Sequence, residues 1–136
     1  MRFMILVKAT PESEAGVMPA EAVFAAMADY HEELAKAGVL LDAAGLRPSA
    51  QGWRIRHAGG QRSVIDGPFA EARELVAGYT LIQVRTREEA MEWARRFPAP
   101  AGAQQAEIEV RPLYELDDLG PSPAVGRFRE LLPGAH

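Results

Sequence analysis

Residues 2–8 place Phe3, Ile5 and Val7 on one side and Met4 and Leu6 on the other. Both sides are apolar, so the alternation predicts a strand covered on both faces. Residues 10–18, rich in Pro, Glu, Ser and Gly, read as a loop. A helix follows, with Pro19 suited to its first turn and Gly38 to its stop. Within it Ala20, Phe24, Met27 and Leu34 recur at helical spacing and build one apolar stripe. Glu21, Asp29, Glu32, Glu33 and Lys36 fall mainly outside that stripe.

Residues 39–46 predict a second strand. Residues 53–57 and 62–66 alternate on either side of Gly59-Gly60, a two-residue turn signal, so this stretch predicts a hairpin. Asp66-Gly67-Pro68-Phe69 breaks it, residues 70–76 read as a short helical segment, and Gly78 precedes a strong strand over 79–85. Thr86 with Glu89 forms a capping box at the start of a second main helix, whose inner stripe is Ala90, Trp93, Ala94 and Phe97 and which Pro98 ends. After a Pro/Ala/Gly loop, 106–114 alternates as the last main strand, with Pro112 pointing to a sheet edge.

The order is β-α-β, an inserted hairpin, then β-α-β, which is the ferredoxin-like α+β arrangement over residues 1–115. Residues 116–136 form a Pro/Gly-rich tail expected to be loosely held. Two helices cover one sheet face. The two-sided character of 2–8 asks for a cover on the other, and a second copy of the chain is the simple candidate. The expectation is a homodimer built as an α/β barrel.

Composition narrows the chemistry. The 136 residues suffice for one domain with a core. With no cysteine there is no disulfide, thiolate ligand or cysteine nucleophile. No apolar run approaches the ~20 residues of a membrane span, and the first residues lack a signal-peptide pattern. At net charge −4, with Arg54, Arg56 and Arg62 flanking the hairpin rather than forming a basic face, no nucleic acid is expected as partner. No pair of histidines on one helix face, no metal-ligand spacing and no phosphate-cradling glycine loop is present, so neither metal nor cofactor is expected.

His31 is the most informative single residue. At about 100° per residue it falls between Phe24 and Met27, in the middle of the apolar stripe. An imidazole turned to a core must be hydrogen-bonded. It is either a satisfied core histidine or an acid, base or anchor on the wall of an enclosed pocket. Tyr30 flanks the stripe, where its hydroxyl would line such a pocket. Asp66-Gly67-Pro68-Phe69 has the chemistry of a capping turn, and Asp66 would orient His31 if the two met. Asp42, Arg47 and Ser49 surround the end of the second strand, and Phe69 follows the turn; these are candidate ligand contacts. His57 in the hairpin and His136 at the end of the chain are expected to be exposed.

The Tyr30-His31-Glu32-Glu33-Leu34 run, Gly38-Val39-Leu40-Leu41-Asp42, and Gly45-Leu46 followed by Pro48-Ser49 form a set with Asp66-Gly67-Pro68-Phe69-Ala70-Glu71 and Gly78-Tyr79. Together they resemble the YCII-related proteins of the DGPF-motif branch over residues 2–114. The resemblance implies a ferredoxin-like fold, a dimeric α/β barrel and a cytoplasmic bacterial setting. It also implies a His–Asp pair in some relatives, a lyase-like or dehalogenase-like step on a small molecule, or a regulatory role near extracytoplasmic-function sigma factors. The histidine carries over to His31 and the motif aspartate to Asp66, while Asp42 and Asp66 compete for the place of the ring's acidic partner. Ala72-Arg73-Glu74-Leu75 departs from the more usual Thr-Lys-Glu run, on a segment read as surface.

Overall fold

The computed structural model describes residues 1–99 and 106–132. Most of the loop predicted after Pro98, and His136, lie outside the described residues. Strand β1 (Arg2–Lys8) occupies the centre of a four-stranded antiparallel sheet. It is flanked by β5 (Val76–Gln83) and β6 (Ile108–Pro112), and β2 (Leu40–Gly45) borders β5, giving the order β2-β5-β1-β6. This is the ferredoxin-like order. Pro112 closes β6 on an outer strand, where its missing N–H costs no ladder bond.

Register assigns each side chain to a face. Phe3 opposes Ile82 and Ile5 opposes Thr80 on the side that bears the helices. Met4 opposes Leu81 and Leu6 opposes Tyr79 on the other. Helices α2 (Glu21–Lys36) and α3 (Arg87–Arg95) both pack on the first face. The core joins Phe3, Ile5, Tyr30, Leu34, Val39, Ile82, Val84 and Ala90, with Trp93 and Phe97 against it. Each large apolar side chain buried there contributes about 1.5–3 kcal/mol before the entropy of ordering is subtracted.

Helix α2 is turned relative to the stripe read from sequence. Its buried residues are Tyr30 and Leu34, whereas Phe24 is 48% exposed and His31 only half-buried. His31 therefore flanks the buried face rather than centring it. Tyr30 is the reason: its ring fills the core and its hydroxyl donates to the Trp93 carbonyl at 2.7 Å, so the residue behaves as an apolar one. The helix begins at Glu21 rather than Pro19. It closes as expected, with the Gly38 and Val39 amides donating to the Ala35 and Leu34 carbonyls.

Other boundaries shift for local reasons. The loop at 10–18 contains a one-turn helix, α1 (Pro11–Glu14), held by reciprocal Thr10–Ser13 capping bonds too short to leave a periodic pattern. The helical segment expected at 70–76 is a 3-10 turn over Ala72–Glu74, and β5 begins early enough to contain Gly78. The box at Thr86 is shared differently. Thr86 accepts from the Glu89 amide at 3.1 Å, while the Glu89 carboxylate reaches back to the Arg85 amide at 3.1 Å.

Strands β3 (Trp53–Ala58) and β4 (Gln61–Asp66) form a separate hairpin with no ladder to the main sheet. Gly59 and Gly60 both adopt positive φ, which the two-residue turn requires. The segment after 115 is fastened at its start. The Arg2 guanidinium forks onto Glu115, with its closest contact at 2.8 Å, and Leu116 is buried. Beyond a 3-10 turn (Leu116–Leu119), helix α4 (Pro123–Leu131) is capped by Ser122 and leaves Phe128 and Leu131 exposed. Within the tail, the described residues 116–132 thus include a 3-10 turn and a capped helix.

Candidate functional site

The site begins with the imidazole of His31 on the flank of α2. Its Nδ1 lies 2.7 Å from the Met27 carbonyl one turn back, and its Nε2 lies 2.8 Å from the Thr80 hydroxyl. A carbonyl only accepts, so Nδ1 carries the proton. In the neutral ring Nε2 then accepts from the Thr80 hydroxyl. The bond ties α2 to the middle of β5, and Thr80 itself is 2% exposed. Tyr30 and Phe97 meet the imidazole edge to face at 5.5 and 6.3 Å between centroids.

Neither candidate carboxylate bonds this ring. Asp42 lies on the opposite face of the sheet. Its Oδ2 accepts from the Tyr79 hydroxyl at 2.9 Å, and Tyr79 precedes Thr80 on β5, so the two side chains project to opposite faces. That hydrogen bond, together with the Asp42 charge, raises the pKa of Tyr79 above the ordinary phenol value. Asp66 ends β4 opposite Trp53, with an exposed side chain.

The turn after Asp66 belongs to a second cluster. Gly67 passes so close to the turn at 49–51 that a Cβ there would lie 1.8 Å from the Ser49 carbonyl oxygen, so only glycine fits. The Ser49 hydroxyl accepts from the Phe69 amide at 3.0 Å and donates to the Glu14 carboxylate. The same carboxylate accepts from the Ser49 amide at 2.9 Å. One serine thus joins α1, the 49–51 turn and the 67–69 turn. Phe69 is covered by the Arg54 guanidinium, 3.7 Å above its ring, and Arg47 reaches only Gln51, at 3.1 Å.

Between these clusters the edge strand β2 is exposed from Leu41 to Gly45. Val7, Gly78 and Gly45 stand side by side across three strands, on the Thr80 face. Two of the three have no side chain, and Ala43 and Gly45 are exposed there. At the glycine level of the sheet Gly78 is buried and Val7 half-buried, and exposure begins at Gly45 on the edge strand. Two concavities, at the hairpin turn 57–62 and beside Tyr30, Glu33 and Arg96, both open to solvent. Among the described residues no three His, Asp or Glu side chains converge as a metal site would need, and no helix is long and apolar enough to cross a membrane.

The family model of the YCII-related domain matches residues 1–116. The chain belongs to the YCII-related family. An uncharacterised protein of Rhizobium meliloti (strain 1021), R00369, is 34% identical over 93 residues, which span 68% of this chain and 74% of that protein. Among solved structures, this YCII-related chain is similar to the 5-chloro-2-hydroxyhydroquinone dehydrochlorinase (TftG) of Burkholderia phenoliruptrix AC1100, in complex with 2,5-dihydroxybenzoquinone. The two are 14% identical at a TM-score of 0.41, covering 85% of this chain and 95% of the other, a superposition too loose to transfer chemistry.

Two residues of this YCII-related chain escape the sequence reading. Thr80 looks like an ordinary β-branched strand residue, and only the pairing of β5 with β1 brings its hydroxyl under α2. Glu14 lies in a segment read as loop. Its partner Ser49 is 35 residues away, and no local pattern signals the pair.

Proposed function

We propose that this YCII-related protein is a homodimeric small-molecule-binding domain, with the ligand beside the half-buried His31 at the β2 side of the sheet. The carrying observation is that both His31 nitrogens are occupied within the chain and no carboxylate backs the ring. A general base needs a free basic nitrogen and gains from an acidic partner. The half-buried His31 ring, fixed in one orientation by the Met27 carbonyl and the buried Thr80 hydroxyl, instead offers a rigid face beside the exposed edge strand, against which a small ligand can be oriented. The dimer reading is supported by the outer sheet face, where Met4, Leu6 and Leu81 stand together opposite the helices. A two-fold pairing covers such a face with its own copy.

Thermal-shift screening of the full chain against a small-molecule library tests the reading. A hit should raise the melting temperature of the wild type and lose its effect in His31→Ala. Mass spectrometry after prolonged incubation should return the hit unchanged. Conversion of a hit by wild type and not by His31→Ala would replace binding with catalysis.

A second reading, acid–base chemistry of the lyase-like or dehalogenase-like kind, is favoured by the tautomer. With Nδ1–H held by Met27, Nε2 is the basic nitrogen, and one rotation of the Thr80 side chain frees it.

A further inference from the structure

Residues 10–19 carry the chain from β1 to α2. Thr10 is buried, but Val17 and Met18 are 60% and 75% exposed. Backbone bonds within the segment stay local: the Glu14, Ala15, Gly16 and Val17 amides donate to the Thr10, Pro11, Ser13 and Glu12 carbonyls. Helix α2 then starts after Ala20, which makes no side-chain cap bond. Gly16 turns at φ 79° with nothing within 4 Å of its Cβ position, the freedom a hinge needs. Among the described residues one side chain ties the segment to the rest of the chain by hydrogen bonds. It is Glu14, whose carboxylate accepts from the Ser49 amide at 2.9 Å and from the Ser49 hydroxyl. Strand order gives the path of this tie. Thr10 follows β1, Ser49 follows β2, and β5 lies between those two strands. Bonding Glu14 to Ser49 therefore draws the segment across the end of β5.

We propose that residues 10–19 are a strap that gates the ligand site beside His31, with the Glu14–Ser49 bonds as its latch. The proposal rests on the binding reading above and adds its means of access. The strapped end of β5 is the glycine level, where Gly78 lies two residues before Thr80, about 7 Å along the strand. Beside it, Gly45 has one atom within 4 Å of its Cβ position, the Ala77 carbonyl oxygen at 4.0 Å, so no side chain packs closely on it. The chain leaves α2 at Val39, whose carbonyl accepts from the Gln83 amide at the far end of β5. The turns of α2 before His31 therefore run out towards the strap. Latched, the strap shuts this end of the helix–sheet layer; released, it opens a way to the His31 ring. The latch is built to part on one side. Ser49 stays fixed by the Phe69 amide, while Glu14 leaves with its one-turn helix. Two charge-assisted bonds hold such a turn, and breaking them leaves the sheet ladders intact.

Hydrogen–deuterium exchange and diethyl pyrocarbonate labelling of the full chain test the strap, comparing wild type with Glu14→Gln and Glu14→Ala. Glutamine removes the charge and keeps one acceptor for Ser49; alanine leaves none. The amides of residues 14–17 should exchange about tenfold faster in Glu14→Gln, the change expected for losing one charge-assisted hydrogen bond, and at least as fast in Glu14→Ala. The β1 and β5 amides should keep their rates. Carbethoxylation of His31, read by mass spectrometry, should rise by about the same factor, while the exposed His57 reacts as in wild type. Unchanged exchange at residues 14–17 in both variants overturns the latch. Faster exchange there with unchanged His31 labelling overturns the gate. Faster exchange spread over β1 and β5 as well overturns a strap that moves on its own. None of these results touches the binding reading, which the ligand screen tests without this labelling.

Discussion

Thr80→Val is the sharpest probe of the His31 site. Valine keeps the shape and β-branching of threonine, so strand preference and packing hold while the hydroxyl goes. Thr80 is 2% exposed and bonds His31 at 2.8 Å. The lost hydrogen bond is worth about 1 kcal/mol net, and a ring nitrogen left without a partner adds about 1–3 kcal/mol where water cannot reach it. The added buried methyl returns up to ~0.8 kcal/mol. Because His31 is half-buried, water replaces part of the bond, and the expected loss is roughly 1–2 kcal/mol. Urea unfolding at an m-value of about 1.5 kcal/mol/M would lower the midpoint by about 1 M. The same change in a His31→Ala background should cost at least ~0.5 kcal/mol less, because the partner is already gone. A Thr80→Val protein as stable as wild type, or equal costs in the two backgrounds, refutes a stabilising His31–Thr80 bond.

Gly67→Ala drives a Cβ into the Ser49 carbonyl and should cost at least ~2 kcal/mol in chemical denaturation, whereas Gly126→Ala, with open space around its Cβ, should be near neutral. Tyr30→Phe removes the bond to Trp93 and should cost about 1 kcal/mol. Burial pushes the Tyr30 phenol up to about 12, so its contribution is complete below pH 10 and is lost as pH rises through 12; the tyrosinate absorbance step near pH 12 should vanish in the variant. The Glu115 carboxyl is held below its ordinary 4.5 by the Arg2 hydrogen bonds, so the stability it gives is present above that value and lost on acidification below it. Glu115→Gln should flatten that acid limb while costing under ~1 kcal/mol at neutral pH, measured by thermal unfolding between pH 3 and 7.

The fold was legible where one residue's neighbours settle its place. Alternation in 2–8 identifies a central strand because both its faces are apolar, and Gly59-Gly60 specifies a hairpin because so few residues tolerate that turn. The rotation of α2 was not legible. Phe24 and Tyr30 differ little in apolar area, and which one faces the sheet is decided by a carbonyl of α3, 63 residues from Tyr30. The same limit applies to His31. Helix geometry brings it near the inner face, but its phase, and so its half-exposure, follows from Tyr30.

The choice between Asp42 and Asp66 turns on a property sequence carries without showing, the parity of the pleat. A bulge between Leu40 and Asp42 resets β2 so that Asp42 pairs with Leu81. Had the ladder run on evenly from Leu40 opposite Ile82, Asp42 would stand opposite Thr80, on the side of His31. With it, the carboxylate joins Tyr79 on the outer face, where the proposed dimer would form. The bulge therefore removes the acidic partner from the imidazole and gives it to the Tyr79 hydroxyl. Thr80, one residue on, is left as the sheet's contact to the ring, and it can donate or accept a hydrogen bond but brings no charge to hold an imidazolium. This is the physical ground for ranking binding above acid–base chemistry within one chain.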